Sequence, residues 1–144
     1  MSLFAPEPPD VVELVLPWPP SLNNLYVHTY SKKFDRVMKF PTRDATEYID
    51  NVRAIVLSEG KNRGLKGDLL LELQLFPPNK RVIDFDNHLK AILDALKNQN
   101  AGPGQGIRTG VYMDDSQIKK AIIEVCGAVP PDGKVRVKIS TRGM

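Results

Sequence analysis

The stretch that most constrains the fold covers residues 80–97, which read KRVIDFDNHLKAILDALK. Apolar residues recur here at i, i+3, i+4 and i+7, the spacing of one face of an α-helix. They are Leu89, Ile92, Leu93 and Leu96. Lys90, Asp94 and Lys97 project from a different face of the same helix. The pattern therefore predicts an amphipathic helix with an apolar face toward a core and a charged face elsewhere.

Two acids, Asp84 and Asp86, stand two residues apart just before this helix. In an extended chain their side chains point the same way, and two neighbouring carboxylates repel each other unless a positive charge lies between them. A hard divalent cation such as Mg²⁺ satisfies carboxylate oxygens well. The alternative is structural, because Asp is also a common residue in turns and at helix N-termini. The spacing alone leaves both interpretations open.

The composition is that of one ordinary globular domain. The chain has 144 residues, with 42% hydrophobic and 26% charged residues, which is enough for a single domain with a core. The net charge is +3 and the pI is near 9.0. A basic surface favours an anionic partner, and nucleic acid is the commonest one.

Cysteine usage and the chain ends predict a cytoplasmic protein. The chain has one cysteine, Cys126, which excludes an internal disulfide and favours a reducing compartment. Its apolar surroundings predict a small buried side chain. The proline-rich, acidic segment 1–10 does not resemble a signal peptide, and no apolar run reaches the length of a membrane span.

The remaining periodicities predict a single α/β domain, with a small mixed sheet of four or five strands packed against two main helices. Alternating or short apolar runs predict strands at 11–16, 69–76, 118–125 and 134–140. A further helix is predicted to begin after Thr42 as N-cap and to end near Gly60. Residues 1–10 are predicted to form a loose tail, 11–144 the domain, and the glycine-rich segment 98–110 a flexible loop.

Basic residues cluster in segment 28–39, where they alternate with aromatic residues. Lys32, Lys33, Arg36 and Lys39 lie among Tyr30 and Phe34. Basic side chains contact phosphates and aromatic rings stack on bases, so the segment is a candidate nucleic-acid contact. A solvated hairpin or loop explains the same pattern equally well.

A second acidic pair, Asp114-Asp115, lies just before the strand predicted at 118–125. One of these acids, together with Asp84 and Asp86, could form a three-carboxylate metal site of the kind that phosphodiester cleavage requires. Lys90 could lie near the same phosphate. No serine or cysteine has an associated general base, so covalent nucleophilic catalysis is not indicated.

Three blocks of the sequence resemble the RusA-type Holliday-junction resolvases. The first is Leu16-Pro17-Trp18-Pro19-Pro20-Ser21 with Asn23-Asn24 and Tyr26. The second is Asp84-Phe85-Asp86-Asn87 with Lys90 and Asp94-Ala95-Leu96. The third is Gly110-Val111-Tyr112-Met113-Asp114-Asp115-Ser116-Gln117. Each block is weak alone, but they occur in the family's order and are fairly specific together.

The resemblance implies a homodimeric endodeoxyribonuclease that depends on Mg²⁺, for which Mn²⁺ could substitute. Such an enzyme nicks four-way DNA junctions symmetrically in recombination and repair. Carried over by position, the metal ligands are Asp84, Asp86 and Asp115, and Lys90 is the essential lysine. Asp114 matches a less central acidic position. The residues expected to contact the DNA backbone are Lys80, Arg81, Lys119, Lys120, Lys32 and Lys33.

Two departures from the family pattern bear on DNA binding. Residues 98–107 look like an insertion, and only Lys80 and Arg81 precede Asp84 where the family can be more arginine-rich. Two alternatives therefore stay beside the resolvase interpretation. One is a less selective Mg²⁺-dependent nuclease acting on branched or flap DNA, and the other is a DNA-binding protein without catalysis.

Overall fold

The computed structural model describes residues 10–99 and 108–142, and two helices lie within these ranges. Helix α1 covers Arg43–Ser58 and helix α2 covers Asp86–Leu96. The strands are β1 Val11–Leu16, β2 Tyr26–Ser31, β3 Arg36–Pro41, β4 Leu69–Phe76, β5 Ile118–Val125 and β6 Lys134–Thr141. Short 3-10 turns cover Leu22–Asn24 and Asp115–Gln117.

The main sheet is mixed and has four strands in the order β1-β6-β4-β5. Strand β6 pairs antiparallel with both β1 and β4, whereas β4 and β5 are parallel. Parallel neighbours need a crossover connection, and α2 lies in the chain that crosses from β4 to β5. The acids before α2 and the acids before β5 therefore belong to the same crossover. Strands β2 and β3 form a separate hairpin.

The core lies where alternate residues of three strands meet the helices. Strand β4 buries Leu69, Leu71, Leu73 and Leu75, and β6 buries Val135, Val137 and Ile139. Strand β1 adds Val12, Leu14 and Leu16. Each of these strands alternates buried with more exposed positions, which is the two-residue period predicted from the sequence.

Both predicted helices are present and pack against each other. The Thr42 side chain caps α1 by accepting a hydrogen bond from the Ala45 N–H at 3.1 Å. After α1, Gly60 adopts a left-handed φ of +67°, a conformation that ends many helices. Helix α2 buries Ile92 and Leu96 completely. Among the described helices, none is long and apolar enough to cross a membrane.

The predicted fold class is confirmed: the chain is a single α+β domain with a small mixed sheet and two main helices. The structure decides one alternative that the sequence left open and corrects one expectation. Phe85, between Asp84 and Asp86, has helical φ and ψ of −60° and −33°, so the acidic pair lies at a loop-to-helix transition and not on an extended segment. Cys126 is only partly buried, because it follows the end of the edge strand β5.

Two predicted flexible segments lie largely outside the described residues. Of the tail 1–10 only Asp10 is described, and of the loop 98–110 the described residues are those at its two ends. These two ends are joined by hydrogen bonds. The Asn98 side-chain oxygen accepts from the N–H groups of Thr109 at 2.9 Å and Gly110 at 3.2 Å. The Asn98 N–H donates to the Tyr112 carbonyl at 2.8 Å.

The close contact between the two ends of segment 98–110 depends on Gly110. A Cβ built at Gly110 would lie 2.2 Å from the Asn98 nitrogen and 2.4 Å from its Cα. Any side chain would therefore force the two backbones apart. This close approach gives a physical reason for glycine at the start of the third sequence block.

Gly110→Ala is expected to lower the free energy of unfolding by about 2–3 kcal/mol, the scale of overpacking a closely packed site. The measurement is urea unfolding followed by circular dichroism. Gly127→Ala is the matched control, because a Cβ at Gly127 meets nothing within 4 Å. Equal stability of the two variants would contradict the close-approach explanation.

Candidate active site

The N-terminal end of α2 is held by the proline-aromatic segment that follows β1. The rings of Trp18 and His88 lie 4.9 Å apart, centroid to centroid, with a tilt of 51°. Burial lowers the pKa of His88, opposed by a hydrogen bond with the Pro19 backbone. The first and second sequence blocks are therefore in direct contact, and this contact fixes the start of the helix that carries the acidic pair.

Asp84 and Asp86 are exposed at this end of α2. Within residues 10–99 and 108–142, neither side chain takes part in a hydrogen bond or an ion pair. Helix α2 has no side-chain cap, because its N-cap position is Phe85. Capping therefore does not account for Asp84. Asp86 lies in the first turn, where the helix dipole favours a negative charge.

Lys90 lies one helical turn after Asp86 and is held by two partners. Its Nζ forms an ion pair with the Asp94 carboxylate at 3.3 Å. Partial burial acts to lower the pKa of Lys90, but Asp94 and the Tyr26 hydroxyl outweigh it, so the pKa is raised above its ordinary value. The ammonium therefore stays charged on the same side of α2 as Asp86.

The adjacent acids Asp114 and Asp115 have different roles. Asp114 is the N-cap of the turn Asp115–Gln117 and accepts hydrogen bonds from the backbone and side chain of Ser116. Gln117 completes a capping box by accepting from the Asp114 N–H at 2.9 Å. Asp115 instead points toward α2, where its Oδ1 accepts a hydrogen bond from the Tyr112 hydroxyl at 2.8 Å.

Tyr112 connects Asp115 to α2. The residue is fully buried, and its hydroxyl also lies 2.9 Å from the Leu93 carbonyl of the helix. Burial raises the pKa of Tyr112 strongly, and the negative charges of Asp115, Asp94 and Asp114 add to this effect. The hydroxyl is therefore a permanent proton donor that positions the Asp115 carboxylate.

The single chain does not gather the three predicted metal ligands. Asp84 precedes α2 and Asp86 begins it, whereas Asp115 is bonded to the Tyr112 hydroxyl, which lies beside the Leu93 carbonyl farther along the helix. In the described parts of the chain, no group of three His, Cys, Asp or Glu residues is arranged to hold a metal ion.

The donor chemistry nevertheless suits a hard divalent cation. Among the described residues, the carboxylate oxygens of Asp84 and Asp86 form no hydrogen bond or ion pair. Carboxylate oxygens are preferred ligands of Mg²⁺. Asp86 and Lys90, one turn apart on α2, together with Asp84 in the preceding loop, form a partial site. A third ligand has to come from a rearrangement, from DNA or from a second protomer.

The predicted DNA-contact residues lie on three separate elements. Lys80 and Arg81 are exposed in the loop between β4 and α2, directly before the acidic pair. Lys119 and Lys120 are exposed on the edge strand β5. Lys32 and Lys33 are exposed at the tip of the β2–β3 hairpin. The structure does not gather these six residues into one patch of contacting side chains.

Comparison with known proteins assigns the family. An exposed acidic pair preceded by basic residues is typical of metal-dependent enzymes that act on phosphodiesters. The chain matches the family model described as Endodeoxyribonuclease RusA over residues 17–140, and it belongs to the RusA family. The resemblance seen in the three sequence blocks is thereby confirmed.

Curated relatives carry the same description. The chain is 30% identical over 109 residues to the crossover junction endodeoxyribonuclease RusA of Escherichia coli strain K12, covering 76% of this chain and 78% of that protein. The protein of the same name from Enterobacteria phage 82 matches with equal identity and coverage. A relative from Escherichia coli O139:H28 strain E24377A is 27% identical over 134 residues, which is 93% of this chain and 98% of that protein.

Sequence reasoning gave no role to two tyrosines that organise the site. Tyr112 positions Asp115, and Tyr26 supports Lys90. Both tyrosines stand in the blocks that resemble the family, so their position was visible. The groups that these tyrosines contact could not be predicted, because each lies far away in the sequence or on another element.

Tyr112→Phe is expected to lower the free energy of unfolding by about 1–3 kcal/mol, because it removes the one buried hydroxyl proton that lies between the Asp115 carboxylate and the Leu93 carbonyl. Urea unfolding measures this loss. Tyr30→Phe is the control, since its hydroxyl bond to Asp35 is exposed and its removal should leave the unfolding midpoint unchanged. A Tyr112→Phe protein as stable as wild type would contradict the positioning role.

Proposed function

We propose that this protein is a Mg²⁺-dependent endodeoxyribonuclease that resolves four-way DNA junctions by paired symmetric nicks, in DNA recombination and repair. The observation that carries the proposal is the family match over residues 17–140, together with relatives named crossover junction endodeoxyribonuclease. The exposed acidic pair Asp84 and Asp86 supports it, because the fold leaves both carboxylates available.

In this proposal Asp84, Asp86 and Asp115 bind the metal. The ion would supply an activated water and neutralise charge on the phosphate oxygens; Mn²⁺ would substitute for Mg²⁺. Other residues of the chain orient the metal-binding carboxylates. Tyr112 keeps the Asp115 carboxylate oriented, and the contact between Trp18 and His88 fixes the turn that carries Asp86.

Lys90 acts electrostatically. Asp94 and Tyr26 keep its ammonium charged, and the side chain stands between the acidic pair and the end of α2 where Asp115 lies. A phosphate drawn toward the acidic residues needs a fixed positive charge nearby, both to enter the site and to stabilise developing negative charge. Lys90 is positioned to provide it.

DNA binding involves Lys80, Arg81, Lys119, Lys120, Lys32 and Lys33, which contact backbone phosphates. Their separation on three elements suits a branched substrate with several arms better than one straight duplex. The partner protomer is a second copy, because a two-fold dimer places two equivalent sites on the symmetry-related strands of a junction. The domain covers residues 11–144, and the enzyme acts in the cytoplasm, where its DNA substrate lies.

The first test is a nicking assay on a fixed four-way junction and on a duplex of the same sequence, each with Mg²⁺ and with EDTA. Paired symmetric nicks on the junction alone, only with Mg²⁺, are expected. Cleavage of both substrates would instead indicate a less selective nuclease. Tight junction binding without cleavage in Mg²⁺ or Mn²⁺ would indicate a non-catalytic DNA-binding protein.

Asp86→Asn is expected to reduce junction cleavage by roughly 100-fold or more, the scale of losing one group that stabilises the transition state. Junction affinity should stay equal or increase, because one negative charge near phosphate is removed. Rates from single-turnover cleavage and affinities measured in EDTA separate the two effects. Cleavage at the wild-type rate would contradict the assignment of Asp86 as a metal ligand.

Two matched controls accompany this variant. Asp50→Asn changes an exposed acid on α1, away from the proposed site, and should cleave normally. Asp115→Asn should behave like Asp86→Asn, whereas Asp114→Asn should retain cleavage because Asp114 serves the turn. If Asp114→Asn lost cleavage and Asp115→Asn retained it, Asp114 would be the metal ligand instead of Asp115.

A further inference from the structure

The β2–β3 hairpin carries the whole net positive charge of the chain. Residues 26–41 contain Lys32, Lys33, Arg36 and Lys39 against the single acid Asp35. The net charge of this segment is therefore +3, equal to the +3 of all 144 residues. The charges of the rest of the chain sum to zero, so the hairpin is a segment of net positive charge that attracts an anionic macromolecule.

The tip of the hairpin exposes an aromatic ring between cations. The Phe34 side chain is 54% exposed. The Lys33 Nζ lies 5.4 Å from the ring centroid and the Arg36 Cζ lies 5.6 Å from it. Cations at this distance attract the ring face. They hold the ring at the tip, and the same cations can contact phosphates on either side of it.

The tip has a defined shape. Asp35 adopts a left-handed φ of +48°, and its carboxylate accepts a hydrogen bond from the Tyr30 hydroxyl. The Phe34 N–H donates to the Ser31 Oγ at 3.4 Å. The left-handed backbone at Asp35 and the Ser31 contact shape the turn before any partner binds, so the ring is presented with little further loss of conformational freedom.

The hairpin is separate from the main sheet but tied at its base to the proposed active site. Tyr26, its first residue, lies close enough to Lys90 to help raise the pKa of that lysine, and the Lys39 Nζ lies 3.8 Å from the centroid of the Tyr26 ring. A strand of six residues spans about 20 Å at 3.3 Å per residue. The hairpin therefore extends away from its base at Lys90, with Phe34 in the turn beyond the end of β2.

We propose that the hairpin inserts the Phe34 ring into the open centre of a branched DNA, where it stacks on a base pair that ends at the branch point. This inference rests on the proposed function and adds the element that recognises the branch. A continuous duplex has every base pair stacked on both sides, whereas a branch point can expose base-pair faces. An aromatic ring binds such a face without regard to sequence.

Lys33 and Arg36 contribute to DNA binding in a different way from Phe34. Contacts between cations and phosphates form with any DNA and do not distinguish a branch from a duplex. The ring contributes only where a base face is open. Charge at the tip therefore provides affinity, and the aromatic group provides preference for branched substrates.

The test measures dissociation constants in EDTA for a four-way junction and for a duplex of the same sequence. Phe34→Ala is expected to weaken junction binding about tenfold, within the range for one base–aromatic stack, and to leave duplex binding unchanged. Lys33→Ala should weaken both substrates and reduce the salt dependence. Phe34→Trp should restore junction preference. Phe40→Ala, another exposed aromatic of the hairpin, should match wild type.

A second readout is a junction with 2-aminopurine at the branch point. Wild type and Phe34→Trp should change its fluorescence on binding, and Phe34→Ala should not. Unchanged junction affinity of Phe34→Ala, or equal weakening of both substrates, would overturn the inference. Conversion of a dimer to a monomer by Phe34→Ala in sedimentation would also overturn it, because the ring would then bind a second copy.

The outcome separates this inference from the proposed function. If wild type binds or nicks junctions no better than duplex, the resolvase proposal itself fails. If wild type prefers junctions and Phe34→Ala keeps that preference, only the role of the ring fails. Equal urea midpoints for wild type and Phe34→Ala establish that the exposed ring can be removed without disturbing the fold.

Discussion

The hydroxyl of Tyr112 is the interaction on which the arrangement of the site depends. It lies in the core, bonded to the Leu93 carbonyl of α2 and to the Asp115 carboxylate. Burial keeps the pKa of this hydroxyl high, so the donor is always protonated. Through one side chain, the core therefore fixes where the chain before β5 meets the helix that carries the other acidic residues.

The charged groups of the proposed site lie along helix α2. The acidic pair lies at its first turn, Lys90 one turn later, and Asp94 and Asp115 near its last turns. Its two ends are secured differently: the Trp18 and His88 rings pack at the first turn, and the Gly110 backbone closes against Asn98 beyond the last. Both acids of the pair stay accessible to solvent at the start of the helix.

Local periodicity was sufficient to predict the two helices and the four strands of the main sheet, but not the strands β2 and β3. Strands β1, β4 and β6 and both helices follow apolar patterns that reflect burial on one face, and that signal does not depend on distant partners. The apolar run at 118–125 also predicted β5, although this edge strand has no buried residue. The acidic pair was harder to interpret. Its spacing suits an extended segment, but the helix begins at Asp86, and Trp18 packs against His88 in the first turn. That contact joins residues about seventy positions apart, which no local pattern contains.

The sequence by itself determined the fold class, the family and the identity of the candidate acidic residues, because these follow from residue type, spacing and order along the chain. Tertiary structure alone decided which acid of the Asp114-Asp115 pair faces the helix, since that choice depends on the buried position of Tyr112. It also decided that segment 28–39 is a projecting hairpin with Phe34 at its tip. Alternating basic and aromatic residues fit a loop or a hairpin equally well, and only the pairing of β2 with β3 fixes the direction of each side chain.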